Sequence, residues 1–134
     1  MSLHPRVDDW ETAFQQLLDE WARREFAYGS ADCACWAAAA VLALTGQDFY
    51  APFRGRYRSA AGSVRALRLY GAGDLPSTLT AALGEPVHRA FAGRGDIVMM
   101  QGNAGVCTGR EALVFTEDGF ETQPLEQCEL AWKV

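Results

Sequence analysis

The sequence lacks the features that would place this chain in one of the specialised classes of protein. Its 134 residues include only 4 cysteines, too few for a small domain held together by disulfides. The longest apolar run, from Ala34 to Leu44, is far shorter than the roughly 20 residues that cross a bilayer. The N-terminus has no basic stretch followed by an apolar one, the layout of a signal peptide. We therefore expect a protein that is made in the cytoplasm and has no membrane span.

Signals for cofactors, metals and nucleic acids are also missing. The sequence has no GxGxxG fingerprint and no phosphate-binding Walker loop. With 12 basic and 17 acidic residues the net charge is −5, without the broad basic footprint of a dedicated nucleic-acid binder. Cys33 and Cys35, with Cys107 and Cys128 downstream, offer four thiols to a zinc ion, but their C-x-C spacing lacks the usual C-x-x-C knuckle. We expect no cofactor, no metal and no nucleic-acid partner, and interpret the last three cysteines as buried apolar side chains.

The N-terminal two thirds of the chain have helical patterns. Asp8, followed by Glu11 in a capping-box relation, predicts the start of a first helix. Asp32 is a second N-cap residue, in front of a stretch from Cys33 to Leu44 that is apolar on all sides and is stopped by Thr45-Gly46. Such a helix belongs at the centre of a domain. Two shorter helices are predicted over residues 59–70 and 75–83.

After Pro86 the pattern changes to short apolar strands separated by turns. Glu117-Asp118-Gly119 is a strong hairpin signal within this region. Helices followed by an antiparallel meander predict an α+β fold, and the length and the 49% apolar content fit a single domain over residues 1–134. The predicted strands cover residues 97–100, 104–108, 112–116, 120–123 and 130–134.

One segment of this acidic chain is locally basic. Residues 51–73 contain five arginines and no acidic residue, and Arg54, Arg56 and Arg58 lie in a predicted loop. These arginines are either solvated partners of the acidic remainder of the domain or an interaction surface for an acidic partner.

Cys33 is the residue whose position suggests chemistry. A cysteine in the first turn of a buried helix lies against free backbone N–H groups and the positive end of the helix dipole, which favour the thiolate. The same end of the helix is able to stabilise a developing oxyanion. Cys33 is therefore a candidate nucleophile, although many buried cysteines at helix starts are inert.

The order of short motifs resembles the NlpC-type cell-wall peptidases, which are papain-like cysteine enzymes. The motifs are Phe26-Ala27-Tyr28-Gly29, then Asp32-Cys33 opening the central helix, then Gly95-Asp96 ahead of an apolar strand. The chain more closely resembles a related group of small proteins of tailed phages and prophages with no assigned activity. The motifs of that group are found here as Asp32-Cys33-Ala34-Cys35-Trp36, Thr45-Gly46-Gln47-Asp48, Arg54-Gly55-Arg56-Tyr57 and Ala131-Trp132, so that the resemblance covers roughly residues 10 to 134.

The resemblance implies a papain-like (NlpC-type) fold with Cys33 in the nucleophile's place. The position of the family's general-base histidine is occupied by Asn103, whose amide cannot accept the proton. The family's third polar residue falls near residues 112–116, which are apolar before Thr116. His88 is the one histidine placed to substitute, since it lies just before the sheet, while His4 is interpreted as a surface residue. We interpret Trp36 and Trp132 as core.

Three functions follow from these observations. The first is a phage-tail protein that keeps a papain-like fold with a degenerate active site and acts as a structural or docking part, found in the virion. The second is an active cysteine peptidase or amidase that cuts cell-wall peptidoglycan with Cys33 and His88. The third is a module that binds a small molecule or peptide in the cleft beside Cys33. For the first function the expected partners are other tail proteins, and Arg54, Arg56 and Arg58 are the expected contact surface.

Overall fold

The fold is α+β, with four α-helices that precede a five-stranded antiparallel sheet in the computed structural model, which describes residues 4–134. No helix within this range is long and apolar enough to cross a membrane. The helices are α1 (Trp10–Trp21), α2 (Cys33–Thr45), α3 (Ala60–Tyr70) and α4 (Leu75–Leu83). The strands are β1 (Ile97–Met100), β2 (Asn103–Cys107), β3 (Glu111–Thr116), β4 (Gly119–Pro124) and β5 (Leu130–Trp132). Single 3-10 turns lie at Ala51–Phe53, Arg89–Phe91 and Leu125–Gln127.

Three of the four helices begin with a side-chain cap, and the cap at Asp32 is the one predicted from the sequence. The side chains of Asp32, Ser59 and Asp74 each accept a hydrogen bond from a backbone N–H in the first turn of the helix that follows. Gly46 ends α2 in the left-handed conformation, with φ of 79°, as the Thr45-Gly46 stop predicts.

The capping box predicted for the first helix is wrong. The N-cap of α1 is Asp9 rather than Asp8, and its side chain makes no capping hydrogen bond. The N–H of Trp10 is instead bonded to the carbonyl of Val7 at 3.2 Å, so a backbone turn satisfies it. The N–H of Val7 in turn donates to the carbonyl of Leu44, which ties the start of α1 to the end of α2.

The strand order is β4-β3-β2-β1-β5. The first four strands form the predicted meander, and the Glu117-Asp118 turn joins β3 to β4 as a hairpin with Thr116 opposite Gly119. The last strand does not continue the meander, because β5 returns to the other edge and pairs with β1. The meander prediction therefore holds for four strands and fails for the fifth.

The central helix α2 packs on one face of the sheet, and α1 packs against α2. Trp36 and Trp132 are fully buried, as expected for core residues. Ala37 and Ala40 are also fully buried, since their small side chains let neighbouring elements approach the helix closely. This packing fixes the first turn of α2 beside the start of β2.

The aspartate of the Gly95-Asp96 motif joins the two ends of the described chain. Asp96 is fully buried directly before β1 and accepts hydrogen bonds from the side chains of Arg6 and Lys133. It also accepts backbone N–H groups of Gly93 and Val134, both at 2.8 Å. Two cations and two N–H donors thus compensate this buried carboxylate.

Candidate functional site

The start of α2 is organised by the buried carboxylate of Asp32. Its Oδ1 accepts the N–H of Cys35 at 2.9 Å, which is the N-cap bond of the helix. Its Oδ2 accepts the N–H of Gly29 at 2.9 Å and the hydroxyl of Tyr57 at 2.6 Å. The carboxylate therefore accepts three hydrogen bonds, all from neutral donors.

Gly29 holds the loop around Tyr57 close to this helix start. Gly29 has φ of +90°, and a Cβ there would lie 2.1 Å from the backbone oxygen of Tyr57. Only glycine fits both the conformation and the space. The hydroxyl of Tyr50 donates to the carbonyl of Gly29 at 2.6 Å, so two tyrosines anchor the same turn.

The fold brings together Cys33 and Asn103, which are 70 residues apart in the chain. Cys33 is the first residue of α2 and Asn103 is the first residue of β2. The thiol of Cys33 donates to Oδ1 of Asn103, with 3.7 Å between sulfur and oxygen. The side chain bonded to this sulfur is thus an amide, which cannot act as a general base.

The surroundings of Cys33 favour the neutral thiol. Burial raises the pKa of Cys33, and the negative charge of Asp32 raises it further. Backbone N–H groups of Ala104 and of the first turn of α2 act in the opposite direction, but the pKa remains above its ordinary value. The helix start alone favours the thiolate, but burial and the charge of Asp32 have the larger combined effect and favour the thiol.

His88 lies next to the edge strand β5, whereas Cys33 lies beside β2. The adjacent Val87 pairs with Ala131 of β5, so three inter-strand spacings, about 14 Å, separate it from β2. The exposed imidazole caps a 3-10 turn by accepting the N–H of Ala90 at Nδ1, at 3.1 Å. The predicted substitute base is thus in a structural position away from the thiol.

The other histidine belongs to a segment anchored at the opposite end of α2. His4 lies three residues before Val7, whose N–H bonds to the carbonyl of Leu44. Eleven residues of helix rise, about 16 Å, separate Leu44 from Cys33. On β3, where the resemblance implies a third polar residue, the carbonyl of Leu113 accepts the indole N–H of Trp36.

A cavity of about 290 Å³ lies beside Cys33. It is enclosed by the start of α2, the loop between α2 and α3, the two short helices and the turn between β1 and β2. Its walls are mainly apolar, and Cys33 and Asn103 are among the residues that line it. The aromatic residues of the wall are Tyr28, Phe49, Tyr50, Phe53 and Tyr57.

Comparison with protein families gave one match. The family is described as a domain of unknown function (DUF6950), and its profile matches residues 5–134. The chain belongs to the DUF6950 family. The comparisons with curated proteins and with solved structures gave no match.

The described residues of this DUF6950 domain contain no cluster of side chains suited to binding a metal ion. Within residues 4–134, no three His, Cys, Asp or Glu side chains are arranged so as to hold a metal ion. The four cysteines are free thiols, and Cys35, Cys107 and Cys128 are buried, as expected for apolar packing residues. Burial, reinforced by Asp32, raises the pKa of Cys35 to about 11.

Two of the three arginines expected to form a contact surface have partners within the domain. Arg54 pairs with Asp48, with 3.0 Å between Nη1 and Oδ2, and its guanidinium lies over the ring of Tyr50. The guanidinium of Arg56 lies 4.8 Å from the ring centroid of Tyr70. These contacts favour the interpretation of Arg54 and Arg56 as side chains that cover aromatic residues of their own domain.

Sequence reasoning missed the tyrosines that build the site. Tyr50 and Tyr57 are far from Cys33 in the chain, yet they fix its helix start and line its cavity. The Arg54-Gly55-Arg56-Tyr57 motif contained the signal for Tyr57. Its meaning depends on the contact with Asp32, which only the folded chain displays.

Proposed function

We propose that this protein is a papain-like (NlpC-type) domain with a degenerate active site that acts as a docking component of a phage tail. The observation that carries the proposal is the contact between Cys33 and Asn103. A cysteine at the start of the central helix, facing the first residue of a neighbouring antiparallel strand, is the arrangement that the resemblance implies. The residue in the implied base position is an amide, which supports a degenerate rather than an active site.

Among the described residues, the side chain bonded to the thiol of Cys33 is an amide, which argues against hydrolysis. A cysteine peptidase needs a group that takes the thiol proton, and the carboxamide of Asn103 does not accept one at neutral pH. The raised pKa of Cys33 keeps that proton on sulfur. Both effects act in the same direction, towards a thiol that neither ionises nor attacks.

The cavity beside Cys33 supports a binding role. It lies beside the start of the central helix, where the resemblance implies that an active relative would hold its substrate. A preformed cavity with apolar walls remains useful for binding after the chemistry is lost. The tail context rests on the resemblance of the motifs to small proteins of tailed phages and prophages.

Alkylation of Cys33 as a function of pH tests the proposal. We expect slow reaction of the folded protein with iodoacetamide and an apparent pKa above the ordinary value, with the site of reaction identified by mass spectrometry. Cys33→Ser is the control for the other three thiols. Peptidoglycan fragments incubated with the wild-type protein should remain intact.

Asn103→His provides the matched gain-of-function variant. An imidazole at this position lies within reach of the sulfur, so the apparent pKa of Cys33 should fall and its alkylation should accelerate. A wild-type protein that already alkylates rapidly at neutral pH, or that cleaves peptidoglycan fragments in a Cys33-dependent way, would instead establish the second candidate. That candidate is an active cysteine peptidase or amidase, favoured by the backbone N–H groups around the sulfur.

A further inference from the structure

We propose that the cavity and the exposed face of α3 together bind an acidic segment of a partner protein, which inserts one apolar side chain beside Cys33. This inference rests on the proposed function, because it states what the docking cleft binds. It combines two features that adjoin each other: an apolar cavity lined by one amide, and a helix face whose arginines make no ion pair within residues 4–134.

The interior of the cavity offers apolar contacts and few free polar atoms. The hydroxyl of Tyr57 donates to Asp32, and the hydroxyls of Tyr50, Ser63 and Thr78 each donate to a backbone carbonyl. A charged or strongly polar group would lose its hydration there without gaining partners. The volume of about 290 Å³ lies at the small end of ligand sites, which suits one inserted side chain rather than a large cofactor.

One row of α3 connects the cavity to the surface. Ala60 and Val64 line the cavity, and Arg68 follows them one turn further along the same row. Val64 is 50% exposed, so the apolar wall continues out of the cavity onto the open face of the helix. A chain whose side chain enters the cavity would therefore run past Arg68 and its neighbour Arg65.

The arginines on this side of the molecule are available for an external partner. Within residues 4–134, Arg58, Arg65 and Arg68 make no ion pair, in contrast to Arg54. The chain has a net charge of −5 and residues 51–73 carry +5, so the other residues sum to −10. The basic segment is thus a local attractor for carboxylates on a surface that is otherwise acidic.

The same charges disfavour the other anionic macromolecules. A nucleic acid approaching the arginines would meet the acidic remainder of the domain, and its phosphates have no apolar group for the cavity. A flat lipid surface would reach Val64 but not the concave end of the site near Cys33. An acidic polypeptide with an apolar anchor matches both the charge and the shape.

A random peptide library, displayed and selected on the full-length protein, tests this chemistry. We expect the enriched peptides to share a net negative charge and one large apolar residue. A synthetic enriched peptide, labelled for fluorescence anisotropy, should bind about tenfold more weakly to the Arg65→Ser/Arg68→Ser variant, because two charge pairs are lost. The matched variant Arg23→Ser/Arg110→Ser removes the same charge from other exposed sites and should keep the affinity within about twofold.

A second pair of variants tests the cavity. Val64→Ser should weaken binding of the peptide, because it removes apolar surface at the cavity mouth. Leu69→Ser is the control, since it removes a side chain that is 66% exposed and does not line the cavity. Equal effects of the two would overturn the placement of the anchor. Self-association of the wild-type protein that Arg65→Ser/Arg68→Ser abolishes, or tighter binding of DNA or anionic vesicles than of any peptide, would overturn the choice of partner.

The experiment separates this inference from the proposed function. Enrichment of neutral or basic peptides whose binding depends on Val64 would refute the acidic partner and leave the docking role intact. Cleavage of peptidoglycan fragments would refute the docking role, whatever the peptides show. If the wild-type protein enriches no peptide more strongly than the Val64→Ser variant does, the inference is refuted. The proposal that the thiol of Cys33 is unreactive is not affected by that result.

Discussion

Within residues 4–134 two aspartates are buried, and they are compensated in different ways. Asp96 is fully buried at the start of the sheet and faces two cations, Arg6 and Lys133, besides two backbone N–H groups. Asp32, 4% exposed at the start of α2, is bonded only to neutral donors. Both carboxylates have their hydrogen bonds, but only the charge of Asp96 is balanced by side chains in contact with it.

The nearby thiols respond to this difference. Burial raises the pKa of Cys107, the N–H of Gly109 lowers it, and the opposite charges of Asp96 and Lys133 act in opposite directions. Within residues 4–134 the groups bonded to Asp32 are all neutral. Burial raises the pKa values of Cys33 and Cys35, and the charge of Asp32 raises them further. The Asp96 site thus fastens the chain ends together, whereas the Asp32 site shapes the cleft and at the same time suppresses the thiolate there.

Removing the charge of Asp96 should have the largest effect on stability. Asp96→Asn leaves Arg6 and Lys133 without their buried anion, and we expect a loss of about 3–5 kcal/mol in the free energy of unfolding, measured by urea denaturation. Asp48→Asn breaks the exposed pair with Arg54 and serves as the control, with a much smaller loss expected. Equal losses in the two variants would contradict the structural role of the Asp96 site.

Removing a neutral donor from Asp32 should have the next largest effect. Tyr57→Phe leaves Oδ2 of Asp32 with one donor fewer in a buried position, for an expected loss of about 1–3 kcal/mol in the free energy of unfolding. Tyr70→Phe, at a residue that is 41% exposed, is the matched control and should stay within about 0.5 kcal/mol of the wild type. A Tyr57→Phe protein as stable as this control would show that the buried carboxylate does not depend on the phenol.

At alkaline pH, the thiol of Cys35 near Asp32 should reduce the free energy of unfolding more than the thiol of Cys107 near Asp96. Folding raises the pKa of Cys35 from 9.0 to about 11, so between these values the unfolded chain releases a proton that the folded chain keeps. The free energy of unfolding therefore falls as the pH rises from about 9 to about 11 and is fully present below that window. Cys35→Ala should flatten this slope in urea titrations more than Cys107→Ala does, and the reverse order would refute the comparison.

Neutralising Asp32 should have a small effect that is visible in reactivity. In Asp32→Asn the charge that raises the pKa of Cys33 is gone, so alkylation of Cys33 at a fixed pH should accelerate severalfold. Asp118→Asn removes an exposed charge in the β3–β4 turn and should leave the rate unchanged. An unchanged rate in both variants, with the fold intact by circular dichroism, would assign the whole pKa shift to burial.

Much of the fold follows from local signals in the sequence. Asp32, Ser59 and Asp74 mark helix starts because their side chains bond to N–H groups within the same turn, and the β3–β4 hairpin follows from its two-residue turn. The signal failed at Asp8, where a backbone turn replaced the side-chain cap. It also failed at β5, because pairing at the far edge of the sheet depends on the strands already present rather than on the local pattern.

The candidate site divides in the same way. The position of Cys33 at the start of a buried helix and the place of Asn103 in the motif order follow from the sequence and its resemblance. The closure of the site by Tyr50 and Tyr57, which lie 17 and 24 residues beyond Cys33, does not. The position of His88 also needed the sheet order, since a histidine just before the first strand is able to face either edge.

By itself the sequence determined which residue types are available: a thiol at a helix start, an amide where a base would be needed, and two acidic residues in motif positions. The tertiary structure decided their chemistry, because a pKa depends on burial and on charges that approach through space. Asp96 contacts two cations and links the ends of the chain, while Asp32 accepts only neutral donors and lines the cavity. That choice of neighbours, made by packing rather than by the local sequence, keeps the thiol of Cys33 protonated.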